Sequence, residues 1–133
     1  MRYLLDTNTA SHMIKNDNHA VERRRAGMET TELAISSVTE GELLFGVARV
    51  PQAVRLRAVV EEFLLNVTVL PWDSPAAREY GELRAALERD GRAMGSLDMM
   101  IAAHALALDL ILVTSDSSFR RIKRLKVEDW TKQ

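Results

Sequence analysis

Short apolar runs alternate with longer segments of helical periodicity along the chain, and this alternation predicts its elements. The apolar runs predict strands at 2–5, 33–36, 67–70, 110–114 and 126–128. Apolar residues at helical spacing predict helices at 9–15, 19–28, 39–49, 51–66, 75–91 and 97–108. Because a parallel crossover needs a connecting helix, the alternation indicates an α/β domain with a mainly parallel sheet. The order of the strands in that sheet stays open.

Proline and serine indicate where several of these helices begin. Pro51 suits the first turn of a helix, and Ser74 is a capping residue placed directly before Pro75. Ser96 can cap the helix that follows. The prolines and glycines punctuate the chain without dividing it, so we predict a single domain over residues 1–133.

Composition narrows the class of protein. Hydrophobic residues make up 47 % and charged residues 28 % of the chain, values typical of a globular protein. The formal net charge of −1 argues mildly against a nucleic-acid binder. The absence of cysteine excludes disulfides, thiol nucleophiles and cysteine metal sites and favours a reducing compartment. The apolar stretches are too short for a signal peptide or a membrane span, so we expect a cytoplasmic protein.

Three aspartates are candidates for a functional site. Asp6 ends the first strand and Asp116 follows the strand at 110–114, and α/β folds bind ligands at the carboxyl ends of strands. A charge directly behind a buried strand is costly without a partner, which strengthens the case for Asp6. Asp98 lies in the first turn of a predicted helix, where a carboxylate also complements the helix dipole.

The fourth candidate acid is one of two glutamates, Glu40 and Glu42, that share a predicted helix. Helical phase does not settle which of them reaches the strand ends. Three or four carboxylates in one cleft repel each other unless they are protonated or bound to a cation. Oxygen ligands without cysteine or paired histidine favour Mg²⁺ or Mn²⁺, and such an ion points to phosphoryl chemistry.

Four motifs, in order over nearly the whole chain, resemble those of the PIN-domain nucleases. They are Leu4-Leu5-Asp6-Thr7-Asn8, Ser36-Ser37-Val38-Thr39 with Glu42-Leu43 and Gly46, Leu97-Asp98 with Ile101-Ala102-Ala103-His104-Ala105, and Leu112-Val113-Thr114-Ser115-Asp116 with Phe119. In the second motif the acid precedes leucine, and this match selects Glu42 over Glu40. The ending, Leu125-Lys126-Val127-Glu128-Asp129-Trp130, is similar to that of the VapC toxins, a branch of these nucleases.

The resemblance implies a PIN-like three-layer α/β sandwich, with a short, mainly parallel sheet flanked by helices. It also implies an endoribonuclease that depends on Mg²⁺ or Mn²⁺, in which a metal-activated water attacks the RNA phosphodiester and leaves 5′-phosphate and 3′-hydroxyl ends. The implied acidic cluster is Asp6, Glu42, Asp98 and Asp116. Asp6 and Asp98 would bind the metal directly, and Glu42 would bind through water or position the nucleophile. Asp116 stands where many relatives have asparagine.

Polar and basic neighbours of the cluster are further candidates. Hydrogen bonds that orient the carboxylates are expected from one polar set, for which turn and capping chemistry is the alternative. That set is Thr7, Asn8, Thr114 and Ser115. Contacts to RNA phosphates are expected from a basic set just beyond the last acid. That set is Arg120, Arg121, Lys123 and Arg124.

The resemblance implies partners as well. The chain would be the toxin of a type II toxin–antitoxin pair, would form a homodimer, and would be blocked by a VapB-like antitoxin covering the acidic cleft. Its substrate would be RNA, commonly tRNA, and the ending is most similar to members that cut the anticodon loop of initiator tRNA. Two alternatives stay open: a housekeeping RNA-processing PIN nuclease, and a non-catalytic PIN or receiver-like binding module.

Three conspicuous side chains are more typical of packing than of chemistry. His104 lies among alanines on a predicted helix, so we expect a packed or hydrogen-bonded histidine. Trp72 and Trp130 could stack on bases, but core or dimer packing is the favoured interpretation.

Assigning four acids to a cleft changes what the net charge means. It leaves 15 of the 19 acidic residues against 18 basic ones. The remainder of the chain is then mildly basic, and the near-neutral total no longer argues against RNA.

Overall fold

The computed structural model describes residues 1–132. Its strands are β1 (Tyr3–Leu5), β2 (Leu33–Ser36), β3 (Thr68–Leu70), β4 (Ile111–Val113) and β5 (Val127–Glu128). Its helices are α1 (Thr7–Lys15), α2 (His19–Ala26), α3 (Ser37–Ala48), α4 (Val54–Asn66), α5 (Ser74–Arg89) and α6 (Ser96–Leu108). The strands form one parallel sheet in the order β3-β2-β1-β4-β5, which confirms the predicted fold class. Among the described residues, no helix is long and apolar enough to cross a membrane.

The sheet is covered on both faces because successive side chains of a strand point to opposite sides. On one face, Leu4 and Leu112 belong to a core shared with α5 and α6. On the other face, Leu5 and Val113 belong to a core shared with α1, α3 and α4. Helices on both sides of a buried parallel sheet give the three layers that the sequence predicts.

The central strand β1 marks the point where the winding of the chain reverses. It lies between β2 and β4, with Leu4 in register with Ala34 on one side and with Leu112 on the other. From β1 the chain winds outward to β2 and β3, then returns over α5 and α6 to β4 and β5. In open α/β sheets such a reversal opens a ligand crevice at the carboxyl ends of the strands. Asp6 and Asp116 follow the two strands that border this crevice.

The predicted start of α4 is wrong. The helix begins at Val54 and not at Pro51. The residues before it form a turn, in which the Ala53 backbone N–H donates to the Val50 carbonyl oxygen at 2.9 Å. Pro51 therefore serves a turn that connects α3 to α4, another position that its fixed φ angle suits.

The predicted caps of α5 and α6 are also wrong by one residue. Asp73 caps α5, since its Oδ1 accepts from the Ala76 backbone N–H at 3.4 Å, and Ser74 is the first helical residue. Two capping residues stand side by side there, and the pattern alone does not choose between them. At α6, Gly95 occupies the cap position and Ser96 lies inside the helix.

Candidate active site

Asp6 lies at the carboxyl end of β1 and caps α1. Its Oδ1 accepts a hydrogen bond from the Thr9 backbone N–H at 2.8 Å. The Asp6 backbone N–H donates to the Val113 carbonyl oxygen of β4 at 3.0 Å, and the Thr9 hydroxyl donates to the same oxygen at 3.1 Å. Asp6 is only 5 % exposed. The first turn of α1 and the neighbouring strand therefore hold this carboxylate in one orientation.

Glu42 reaches from α3 to the first turn of α1. The Thr7 hydroxyl donates to Glu42 Oε1 at 2.6 Å and lies 3.3 Å from the hydroxyl oxygen of the buried Thr39. A hydroxyl that donates a hydrogen bond to a carboxylate oxygen fixes the orientation of that carboxylate. Helical phase left Glu40 and Glu42 open, and it is Glu42 whose carboxylate contacts α1.

Asp98 lies in the first turn of α6 and is half-buried. Burial raises the pKa of Asp98 above the ordinary 3.8, and the negative charges of Asp116, Asp6 and Glu42 raise it further. Nearby like charges disfavour ionisation because each added negative charge costs electrostatic energy. The other three candidate acids are thus the charges that act on Asp98.

Asp116 follows β4 and caps a short 3₁₀ turn, Ser117–Arg121. Its Oδ1 accepts from the Ser118 backbone N–H at 2.9 Å, and its own backbone N–H donates to Thr114 Oγ1 at 3.1 Å. Hydrogen bonds from the Ser118 backbone, and then from its side chain, lower the pKa of Asp116, and the charge of Arg121 lowers it further. Asp116 is the exposed member of the four and stays ionised at neutral pH.

The four acids come from four separate segments of the chain, and the other three lie close enough to Asp98 for their charges to act on it. In chain order, Asp6 follows β1, Glu42 lies on α3, Asp98 lies in the first turn of α6 and Asp116 follows β4. Hydrogen bonds to the first turn of α1 hold Asp6, Thr7 holds Glu42, and the capped 3₁₀ turn holds Asp116. The combined negative charge of these three acids raises the pKa of Asp98. Such a site concentrates negative charge where a cation or a positively charged side chain can neutralise it.

Comparison with known proteins shows which family has these features. The PIN domain model matches residues 3–125, a range that contains all four acids. The tRNA(fMet)-specific endonuclease VapC of Shigella flexneri is 39 % identical over 132 residues, covering 98 % of this chain and 99 % of that protein. This chain belongs to the PIN-domain family and, within it, to the VapC ribonucleases.

Solved structures of VapC-containing complexes have the same fold. The VapBC complex of Salmonella typhimurium, bound to DNA, superposes with a TM-score of 0.90 at 39 % identity and covers 98 % of both chains. VapBC2 of Rickettsia felis, bound to a promoter fragment, gives a TM-score of 0.90 at 31 % identity over 98 % of this chain and 99 % of that one. The PIN-like sandwich expected from the motifs is confirmed.

The donors of this VapC-family site fit a hard divalent cation by their chemistry. The candidate ligands are the oxygens of four carboxylates, and the charges of three of these carboxylates raise the pKa of the fourth, Asp98. Within residues 1–132, no three acidic or histidine side chains are gathered into a ready-made metal cage. A hard divalent cation that keeps several of its waters would need only one or two of these carboxylates as ligands.

The structure brings two of the four predicted orienting residues into contact with the acids. The Thr7 hydroxyl donates to Glu42, and the Thr114 hydroxyl accepts from the Asp116 backbone. Asn8 and Ser115 are exposed residues beside the crevice. Thr7 and Thr114 therefore have a direct means of positioning the acids.

The predicted RNA-contacting residues after β4 divide into two groups. Arg124 pairs with Glu79 of α5 through Nη2 and Oε2 at 3.1 Å. Arg120, Arg121 and Lys123 are exposed, and the charge of Arg121 reaches the Asp116 carboxylate.

Sequence reasoning missed Thr9 and Thr39 as residues of the site. Thr9 connects Asp6 to β4, because its backbone N–H donates to Asp6 and its hydroxyl donates to the Val113 carbonyl oxygen. A helix-capping side chain commonly accepts from the N–H of the third residue after it, so the capping rule could have identified Thr9. Thr39 lies one turn before Glu42 and contacts Thr7. Thr39 belongs to the second motif, but nothing in the sequence pattern assigns its side chain a contact with Thr7.

His104 and both tryptophans pack as the sequence predicts. His104 is 1 % exposed, and its Nδ1 lies 2.9 Å from the Ser36 hydroxyl. Trp130 is buried edge-on against Tyr3 with ring centroids 5.1 Å apart. The Trp72 indole N–H donates to the Met100 carbonyl oxygen at 2.9 Å, so it is already satisfied within the protein.

Proposed function

We propose that this chain is a metal-dependent endoribonuclease, the toxin of a VapBC-type toxin–antitoxin pair, acting as a single PIN domain. By hydrolysing RNA phosphodiesters it inhibits translation and growth. The observation that supports this most directly is the raised pKa of Asp98, caused by burial and then by the charges of Asp116, Asp6 and Glu42. A structural role does not require four acids at the switch point of a parallel sheet, whereas a bound cation would neutralise their mutual repulsion.

The four acids would hold Mg²⁺ or Mn²⁺. Asp6 and Asp98 are the proposed direct ligands, Glu42 acts through a water, and Asp116 adds charge at the exposed side. The ion, when bound, supplies positive charge for the scissile phosphate and lowers the pKa of a water. The proposed products carry 5′-phosphate and 3′-hydroxyl ends.

The protein's own groups keep the acids in place for this reaction. The α1 cap and the Val113 carbonyl fix Asp6, and Thr7 holds the Glu42 carboxylate from one side. Glu42 thereby keeps an oxygen available to accept a hydrogen bond from the attacking water. Fixed orientation matters because a displacement of about 1 Å can cost a reaction roughly 100-fold.

We propose tRNA as the substrate, and the anticodon loop of initiator tRNA as the site of cleavage. The relatives of Shigella flexneri and Salmonella typhimurium, both 39 % identical to this chain, are named tRNA(fMet)-specific endonucleases. A tRNA substrate also supports a cytoplasmic site of action.

The proposed partners are a VapB-like antitoxin and a second copy of this chain. The solved relatives are VapBC complexes, which supports a protein partner of that class. A basic side chain inserted among the four acids would neutralise them as a cation does, and it would block the crevice to RNA. The housekeeping nuclease and the non-catalytic module are less well supported, since the relatives are named as VapC nucleases and all four acids are present.

Expression in a bacterial host tests the toxin role. Induction of the wild-type chain should arrest growth, and co-expression of the product of a short adjacent reading frame should relieve the arrest. The Asp98→Asn variant is the control, because it removes one carboxylate and should permit growth. Normal growth with abundant folded wild-type protein would exclude the toxin role.

A further inference from the structure

A groove of about 840 Å³ runs between the C-terminal half of α5 and the segment that follows β4. Its floor is formed by Leu83, Leu87 and Ile122, which belong to the core between the sheet and the α5–α6 layer. Close-packed core residues are held in fixed rotamers, so this floor keeps the groove in one shape. We call this feature the basic groove.

Basic side chains outnumber acidic ones, five to three, along the groove. Arg124 is paired with Glu79 at 3.1 Å. Within residues 1–132, the other four basic side chains have no carboxylate oxygen within 4.0 Å. They are Arg89, Arg92, Arg121 and Lys123, and all are exposed. Among the described residues, the groove therefore presents four cations without ion-pair partners, against the two acids Glu82 and Asp90 that also line it.

Two connections place the basic groove beside the acidic crevice. Arg92 lies in the loop that leads into α6, and the first turn of α6 carries Asp98. Arg121 ends the 3₁₀ turn that Asp116 caps, and its charge acts on the Asp116 carboxylate. The groove therefore adjoins two of the segments that carry the acids.

We propose that the four unpaired cations of the basic groove bind the phosphate backbone of the RNA substrate and hold it beside the acidic cluster. This inference rests on the proposed ribonuclease function and assigns it a binding surface. It adds Arg89 and Arg92 to the predicted contacts. It leaves out Arg124, which is engaged with Glu79, and Arg120, which does not line the groove.

The acidic cluster makes such a surface necessary. Four carboxylates repel the polyanionic substrate that they are meant to cut, and adjacent cations offset that repulsion. Arginine is suited to this task because its planar guanidinium binds two phosphate oxygens at once. Contacts of this kind fix the position of the RNA and do not read its sequence.

Salt dependence of RNA binding tests the groove without requiring cleavage. Binding of fluorescein-labelled initiator tRNA to the full chain is measured by anisotropy in EDTA, at several salt concentrations. The variants are Arg89→Gln, Arg92→Gln and Lys123→Gln, singly and together. Matched controls are Arg55→Gln and Arg57→Gln, which remove the same charge from exposed positions on α4, in the layer on the other face of the sheet.

Each groove variant should lower the slope of log K against log salt by about 0.7–0.9, and the triple variant by roughly three times as much. The two α4 controls should retain the wild-type slope. Groove variants that match these controls would overturn the groove, even if the wild-type protein cleaves RNA in Mg²⁺. Groove-dependent binding without cleavage in Mg²⁺ would support the groove and contradict the proposed nuclease function. Weakened antitoxin binding with unchanged tRNA binding would assign the groove to the protein partner instead and overturn this proposal.

Discussion

Asp98 is the acid of the site whose ionised form is disfavoured. It is half-buried; burial is the largest cause of its raised pKa, and the charges of the other three acids raise it further. Between pH 3.8 and its raised pKa, the folded state binds more protons at Asp98 than the unfolded state does. The stability of the metal-free protein therefore falls as the pH rises through this window. A bound cation removes the repulsion between the carboxylates, so the metal-bound protein should gain stability, and not lose it, as the pH rises through this window.

The variant Asp98→Asn should consequently be more stable than the wild type at pH 7 in EDTA, and nearly inactive. Thermal unfolding should show a higher Tm for the variant, and added Mg²⁺ should raise the Tm of the wild type more than that of the variant. The expected loss of kcat/KM exceeds about 100-fold, because a direct ligand matters more than the residue that orients it. A lower Tm for Asp98→Asn in EDTA would contradict this account of the cluster.

Thr7 should act through Glu42 and not through the stability of the fold. Thr7→Val keeps the shape of the side chain but removes the 2.6 Å hydrogen bond to Glu42 Oε1, so kcat should fall about 10–100-fold. Thr7→Ser keeps the hydroxyl and should restore most of the activity. Steady-state cleavage and circular dichroism together check this prediction, and equal activity of the valine and serine variants would refute it.

At the scale of the element, Asp6 combines a structural and a chemical role, and the two can be separated. As the cap of α1 it accepts from the Thr9 backbone N–H, and asparagine caps a helix about as well as aspartate does. Asp6→Asn should therefore stay folded with near wild-type stability while losing cleavage. Asp6→Ala should lose cleavage and, in addition, about 1 kcal/mol of the free energy of unfolding. Urea denaturation of the two variants measures the difference, and equal stabilities would argue against the cap.

His104 joins the elements that carry two of the acids. It lies on α6, and its Nδ1 contacts the Ser36 hydroxyl, which caps α3 by accepting from the Val38 backbone N–H. Burial lowers the pKa of His104 below the ordinary 6.5, against the opposing effects of the Asp73 charge and a hydrogen bond with the Pro71 backbone. A neutral imidazole therefore connects the helix of Asp98 to the helix of Glu42.

This connection predicts a second pH dependence, of opposite sign. Between the lowered pKa and pH 6.5, the unfolded state binds more protons at His104, so stability falls as the pH drops below 6.5. His104→Gln keeps hydrogen-bonding capacity but cannot titrate, and its stability should be flatter over this range. Urea midpoints measured from pH 7 downwards compare the two proteins. Parallel curves for variant and wild type would exclude His104 as the cause.

The sequence predicts the helices and strands well where a hydrophobic period is long, and less well at their ends. The buried strands β1 and β2 follow from short apolar runs, and α6 follows from apolar residues at helical spacing. The start of α4 fails because Pro51 suits a turn as well as a first helical turn. Strand order and the contact between Thr7 and Glu42 depend on how distant segments pack, which no local pattern contains. The motif resemblance, and not helical phase, selects Glu42 over Glu40 as the candidate.

At the scale of the molecule, the reversal of winding at β1 explains why the acids meet. Strands β1 and β4 are neighbours although a long stretch of chain separates them, so Asp6 and Asp116 emerge side by side. The helices α3 and α6 come from opposite layers of the sandwich and bring Glu42 and Asp98 to the same edge. The basic groove adjoins this edge through Arg92 and Arg121, so in the proposed function a near-neutral chain presents an acidic centre and a basic flank to RNA.

Cleavage of end-labelled initiator tRNA by the purified chain tests the proposed nuclease function. We expect cleavage in Mg²⁺ or Mn²⁺ with 5′-phosphate products, no cleavage in EDTA, recovery when the metal is restored, and none with folded Asp6→Asn. Cleavage that persists in EDTA and in Asp6→Asn would contradict this proposal, as would intact RNA after incubation with folded wild-type protein and metal.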